Sequence, residues 1–206
     1  ILVAASGNQG TAGSPLEYPA AYNGVIGVGS VDEDYGISYF STRNSSVDVV
    51  APGGSVFSLM TNNRYGIGSG TSYATPYVAA LAGMALSYDS NLSASEFEQF
   101  LKKTSTDLGT TGYDYTYGSG LINYEAFMSD LTSGSFCDVP SDCWYESAVY
   151  EMSDAKIVEG RSRYIFDPEN TTTRAEFVTM LARLSGDNID QYNGTSHFTD
   201  VSSGSW

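Results

Sequence analysis

The sequence predicts an α/β domain built on a mostly parallel sheet, followed by a smaller second module. Three observations carry that expectation. Short, nearly continuous apolar runs, "ILVAA", "GVIGVGSV" and "SVDVVAP", are bounded by turn residues, as suits strands covered on both faces. The run from Thr71 to Tyr88 is apolar almost all round, which predicts a helix buried at the centre of a fold. Composition then changes at "MSDLTSGSF", Met128 to Phe136, where Ser and Gly follow the last helix-like segment of the first part.

Taken in order, the apolar runs give strands, and Thr71–Tyr88 gives the central helix. Pro76 is tolerable near its start, because the N–H it lacks would have reached only the carbonyl of residue 72. A further helix begins at "SASE", where Ser93 and Glu96 form a capping box ahead of Phe97, Phe100 and Leu101. The second part contains an internal repeat: "FCDVPSDCW" from Phe136 and "FTDVSSGSW" from Phe198 share Phe, Asp, Val, Ser and Trp in register. The expected division is therefore residues 1–132, a first repeat at 133–195, and the start of a second at 196–206.

Of the 206 residues, 9 are basic and 24 acidic, a net charge of −15. Both parts share the acidity, which argues against nucleic acid or anionic membrane as partner. No apolar run approaches the ~20 residues needed to span a bilayer. The chain opens on strand-like residues and closes on the repeated Trp206, so it is expected to be truncated at both ends. The lack of a leader then says nothing about location. Cys137 and Cys143 cannot supply four zinc ligands, and no metal is expected from the residues. A local Cys137–Cys143 disulfide in an oxidising compartment is the expectation, with two free thiols as the alternative.

The chemistry centres on "GSGTSYATPYVAALAG", Gly68 to Gly83. A serine hydroxyl is a weak nucleophile until a base takes its proton, but at a helix N-terminus its own N–H and the helix dipole favour a developing oxyanion. Ser72 has that placement, with Gly70 leaving room for a substrate backbone and Ala74 keeping the mouth open. Alone, Gly-Thr-Ser reads better as an N-capping Ser or Thr before an ordinary core helix. "AASGNQG" adds a second element: a strand turning sharply at Gly7 and Gly10 exposes Asn8, either as a turn residue or as an amide donor completing an oxyanion hole with the Ser72 N–H.

These segments resemble the C-terminal half of a subtilisin-like serine protease. "AASGNQG", "YPAAYNGVIGVGSVD", "FSTRNSSVDVVAPG", "YGIGSGTSYATPYVA" and "YGSGLINYEAF" follow in family order from Ile1 to about Leu131. The resemblance implies the C-terminal part of a three-layer α/β fold. It implies Ser72 as nucleophile, Asn8 as oxyanion donor, and Gly7, Gln9, Glu17, Gly70 and Thr71 at substrate-binding positions. Gln9 and Glu17 resemble positions lining the pocket for the residue before the scissile bond, where a carboxylate could favour Lys or Arg; an exposed acid is the alternative for Glu17. The chain departs from the usual pattern at Tyr73, often Met, and Tyr77, often His. The family's chain order is Asp, His, Ser, which places the two partners of Ser72 upstream of Ile1. The single histidine, His197, is expected to be a solvated residue. Calcium is implied by the family only.

The second part resembles an S-layer homology repeat through Phe136, Asp138, Val139, Trp144, Tyr145, Ala148, Val149, Ile157, Val158, Gly160, Phe166, Pro168 and "TRAEF". It implies a small, mainly helical module that holds bacterial exoproteins to cell-wall-linked polysaccharide. Locally, Thr173 and Glu176 form a capping box, and Phe177, Met180, Leu181 and Leu184 share one face. Arg174 is a cation in a first helical turn, where the dipole disfavours it, and so is the foremost polymer-binding candidate. Trp144 is expected in the core rather than as a sugar platform, and Asp138 as a turn-fixing residue, although both belong to the candidate polysaccharide-binding set. Two functions follow: a secreted, surface-anchored serine endopeptidase acting on polypeptides, or a wall-binding pseudoenzyme whose first domain is scaffold. For the fragment alone, without the family's catalytic Asp and His, inactivity is expected.

Overall fold

The computed structural model describes residues 1–186; the second repeat, 196–206, and His197 lie outside the described residues. The chain divides between Cys137 and Asp138, later than the composition shift suggests. The reason is local: α3 runs Tyr124–Ser133, and Phe136 and Cys137 beyond it stay with the first unit. Lys103 Nζ donates to the Phe136 carbonyl at 3.0 Å, and the Cys137 thiol donates to Gln99 Oε1 at 3.4 Å.

In the first unit the three apolar runs become β1 (Leu2–Ala5), β2 (Val25–Val31) and β3 (Val49–Pro52). They form one parallel sheet in the order β1-β2-β3, with Leu2 opposite Val25 and Val28 opposite Val49. Gly27 is required in β2 because a side chain there would collide with the Ser46 carbonyl. Helix α1 (Thr71–Tyr88) packs on all three strands through Ala74, Val78, Leu81, Ala82 and Ala85. Pro76 sits within it without breaking it. One expectation is corrected here. The helix is not buried all round: Tyr77, Met84 and Tyr88 are exposed, because the described residues pack against a single face.

Helix α2 (Ala94–Thr104) starts at the anticipated capping box: Glu96 N–H donates to Ser93 Oγ at 3.2 Å, and Ser93 N–H donates to the Glu96 carboxylate at 2.9 Å. It buries Phe97, Phe100 and Leu101 against Phe127 and Leu131 of α3, with the Phe97 and Phe127 rings 5.1 Å apart. Full burial of each such ring stabilises by roughly 1.5–3 kcal/mol. Ser93→Ala removes one side of the box and is expected to lower the unfolding free energy by about 1 kcal/mol. Chemical denaturation of the chain checks this, and an unchanged midpoint would show that the cap contributes nothing.

Two strands were not anticipated: β4 (Val56–Met60) and β5 (Arg64–Gly68) pair as an antiparallel hairpin between β3 and α1 in the chain. Asn62 and Asn63 turn it with φ of 59° and 56°, a region Asn tolerates better than most residues. Its exposed face carries Phe57 stacked on Tyr65, 5.6 Å between centroids.

In the second unit, α4 (Glu146–Asp154) and α5 (Arg174–Ser185) accompany a small core of Val139, Val149, Val158 and Tyr164. Asp138 does the structural work expected of it: its carboxylate accepts from the N–H groups of Phe166 and Asp167 at 2.8 and 2.6 Å. The Thr173–Glu176 capping box is present. The Thr173 backbone and hydroxyl bonds hold the Glu176 carboxyl below its usual range. A carboxylate depressed in this way contributes stability that is lost as pH falls through its folded value. Two expectations are corrected. Trp144 is 93% exposed rather than core, edge-on to Tyr145, and Phe177, Leu181 and Leu184 of α5 are exposed.

The disulfide expectation is not met: Cys137 and Cys143 are both thiols. The Cys137 thiol is turned toward Gln99, to which it donates. No described helix is long and apolar enough to cross a membrane. Among the described residues no group of His, Cys, Asp and Glu could hold a metal ion.

Candidate active site

The site forms where the C-terminal end of β1 meets the N-terminal end of α1. After Ala5 the chain turns through Gly7, whose φ of 109° suits glycine alone. The loop is pinned from both sides by Thr42: its Oγ1 accepts from the Gln9 N–H at 3.1 Å, and its own N–H donates to the Gly7 carbonyl at 3.0 Å. Gly10 N–H donates to the Phe40 carbonyl at 2.8 Å. Thr42 was missed by sequence reasoning, because nothing local to "FSTRN" points to a loop some 33 residues earlier. Asn8 is thereby held out from the strand end.

The other half is fixed as firmly. Gly70 N–H donates to the Gly53 carbonyl at 2.9 Å, tying the helix entrance to the end of β3. Gly70 adopts φ 155° and ψ 157°, a region open essentially to glycine only, and the next residue begins α1. The first N–H groups of a helix have no partner within its regular ladder, and two of the first three find acceptors here. The Thr71 N–H donates to Asn8 Oδ1 at 2.9 Å, and the Tyr73 N–H to the Gly70 carbonyl at 2.9 Å. Between them, the Ser72 N–H has no acceptor among the described residues, nor has its hydroxyl a partner, and Ser72 is exposed.

Asn8 Oδ1 also accepts from Thr71 Oγ1 at 3.0 Å. A backbone N–H can only donate, so the amide oxygen must face Thr71 and the NH2 group must face away. The position a β-carbon on Gly70 would take lies 3.5 Å from Asn8 Nδ2, 3.8 Å from Asn8 Oδ1 and 3.8 Å from the Ser72 nitrogen, so both nitrogens stand near one point beside Gly70. The first turn of α1 carries no acidic residue to oppose a developing negative charge, and the dipole adds about half a positive charge there.

The structure thus brings Asn8, Gly70, Thr71 and Ser72 together. Thr71, expected at a substrate-binding position, is fully buried and positions Asn8 instead. Gln9 is exposed, whereas Glu17 lies over Gly7: a β-carbon on Gly7 would collide with its carboxylate. Arg174, Asp138 and Trp144 belong to the second unit. Arg174 is exposed at the first position of α5, with no hydrogen-bond or ion-pair partner among the described residues.

An exposed hydroxyl at a helix mouth, with a side-chain amide and an unused N–H nearby at the C-terminal end of a parallel sheet, shares part of the arrangement of a serine hydrolase site. Comparison with known proteins makes the class specific: the chain belongs to the subtilase family, whose profile matches residues 1–120. An S-layer homology domain profile matches residues 135–178. The minor extracellular protease Epr of Bacillus subtilis (strain 168) is 41% identical over 130 residues, covering 63% of this chain and 20% of that protein. Subtilisin DY of Bacillus licheniformis is 44% identical over 128 residues, 61% of this chain and 46% of that protein. Subtilisin E of Bacillus subtilis (strain 168) is 40% identical over 128 residues, covering 33% of its length. The chain therefore spans less than half the length of these relatives.

Proposed function

We propose that Ser72 is the nucleophile of a secreted serine endopeptidase held at the bacterial cell surface by its S-layer homology module. The observation that carries this reading is that two donors without an acceptor among the described residues, Asn8 Nδ2 and the Ser72 N–H, lie 3.5 and 3.8 Å from one position beside Gly70. A general base takes the Oγ proton as Oγ bonds to the carbonyl carbon of the scissile peptide. The carbonyl oxygen becomes an oxyanion held by the two donors. Collapse breaks the C–N bond, the amine leaves with the proton from the base, and water then hydrolyses the acyl-enzyme. The base and its orienting carboxylate are expected from chain upstream of Ile1, in the family order Asp, His, Ser.

Fluorophosphonate labelling followed by peptide mapping tests this reading. The complete protein should be labelled at Ser72, whereas residues 1–206 alone should not, because the hydroxyl keeps its proton without a base. A complete protein that resists the probe would favour the wall-binding pseudoenzyme. Rapid labelling of the isolated chain would refute the placement of the base.

For the second unit, the proposed ligand is an acidic cell-wall-linked polysaccharide, with Arg174 as its cationic contact and Trp144 as an exposed ring for a sugar face. Arg174→Ala in the intact parent should weaken polymer binding by about 1.5–3 kcal/mol, while an exposed substitution moves stability by about 0.5 kcal/mol or less. Co-sedimentation with purified wall polysaccharide, beside a thermal melt, reads both. Undiminished binding returns Arg174 to an ordinary surface residue.

A further inference from the structure

We propose that Thr42 is a positioning residue of the Ser72 site: its hydroxyl sets where Asn8 presents its Nδ2 donor, and thereby the rate of acylation. The inference rests on the reading of Asn8 as oxyanion donor and adds the residue that aims it. The carrying observation is that Thr42 alone holds both peptide units that flank Asn8. The Thr42 N–H donates to the Gly7 carbonyl at 3.0 Å, which fixes the unit entering Asn8. Thr42 Oγ1 accepts from the Gln9 N–H at 3.1 Å, which fixes the unit leaving it. Each peptide unit is planar and rigid, so holding both sets the direction in which the Asn8 side chain leaves the backbone. The Thr71 N–H then fixes the far end of that side chain, donating to Asn8 Oδ1 at 2.9 Å.

Thr42 is itself a fixed point. It is fully buried, where a hydroxyl is costly unless its bonds are made. Its neighbour Ser41, equally buried, accepts from the Ser30 N–H of β2 at 3.0 Å and donates its own N–H to the Ser38 carbonyl at 2.9 Å. The segment that holds the oxyanion loop is thus fastened to the middle strand of the sheet. The Gln9 N–H has no other acceptor among the described residues, so loss of the Thr42 hydroxyl frees the unit after Asn8 while the Gly7 bond stays. A displacement of about 1 Å at a catalytic group can cost about 10²-fold in rate. The loss cannot exceed that of deleting the donor outright, about 10²–10³ as measured on subtilisin.

The test uses the complete protein with Thr42→Val, which keeps the branched shape and removes the acceptor, and Thr42→Ser, which keeps the hydroxyl. Valine should lower kcat by about 10- to 100-fold with KM nearly unchanged, and serine should restore most of the rate. A double variant separates aiming from general support. In an Asn8→Ala background, Thr42→Val should cost less than about threefold, because the group it positions is gone. An undiminished loss on top of Asn8→Ala overturns the proposal, as does a valine protein that keeps its kcat. Should the valine protein not fold, Thr42→Ala removes the same acceptor. Hydrogen exchange resolved to single amides decides the question without catalysis. If Thr42 aims Asn8, the valine variant should exchange faster at Gln9 and also at the Thr71 N–H, whose acceptor is Asn8 Oδ1. The expected change is about tenfold or more at both, with the amides of β2 unchanged. Faster exchange at Gln9 alone overturns the proposal. If the wild-type protein cuts no substrate, the nucleophile reading fails, and the Thr71 exchange rate still upholds or overturns the role of Thr42.

Discussion

Ser72→Ala in the complete protein is expected to lower kcat by about 10⁶-fold and to abolish covalent labelling. The magnitude is carried over from subtilisin, one of the relatives named above. The physical basis lies in the geometry. Removing Oγ leaves no atom to form the acyl intermediate, yet it leaves Asn8 Nδ2 and the residue-72 N–H where they were. Water attacking a carbonyl held by those donors should still outrun the uncatalysed reaction, by on the order of 10³–10⁴. Stability provides the control. Ser72 is exposed and its side chain makes no hydrogen bond among the described residues, so the substitution should move the unfolding free energy by about 0.5 kcal/mol or less. A variant that folds normally and keeps more than a few per cent of its activity would mean that another residue attacks.

Much of this was legible because it is local. The strands β1, β2 and β3 announce themselves as short apolar runs, and both capping boxes are written in four residues each, Ser93 to Glu96 and Thr173 to Glu176. The pairing of Asn8 with the α1 entrance is not local at all: Asn8 and Thr71 are 63 residues apart. Family resemblance linked Asn8 to the site, but the residues alone left it as either a turn or a donor. What the sequence could not show is that Thr71 fixes the amide by its oxygen and frees the nitrogen. Thr42, Gly53 and the placement of the half-buried Glu17 over Gly7 are likewise tertiary facts with no signature nearby.

The misreadings have one physical origin. Hydropathy states what a side chain prefers, and neighbours decide what it receives. Trp144 and the α5 residues Phe177, Leu181 and Leu184 are apolar and exposed. In β4 and β5, Phe57, Leu59, Tyr65 and Ile67 face outward too, so the alternation that marks a half-buried strand pointed nowhere. For the cysteines, the spacing was compatible with a disulfide, whereas in the fold the Cys137 thiol donates to Gln99, a residue 38 positions earlier.

Asn8→Ala should fail differently from Ser72→Ala, and in two separable ways. Loss of the Nδ2 donor should lower kcat by about 10²–10³, again a size measured on subtilisin, with KM nearly unchanged because the amide meets the oxygen mainly in the transition state. Probe labelling should be slower but still present. The structure adds a second effect. Asn8 Oδ1 also caps the Thr71 N–H and accepts from its hydroxyl, so Ala should cost about 1 kcal/mol of stability as an N-cap loss does. Asn8→Asp separates the two: a carboxylate keeps the acceptor for Thr71 and removes the donor, while placing negative charge beside the oxyanion. Asp should therefore preserve the melting temperature better than Ala and yet lose at least as much kcat. If instead Asn8→Ala raises KM and leaves kcat alone, Asn8 is a turn or substrate-contact residue, and the oxyanion would have to be held by the Ser72 N–H without it.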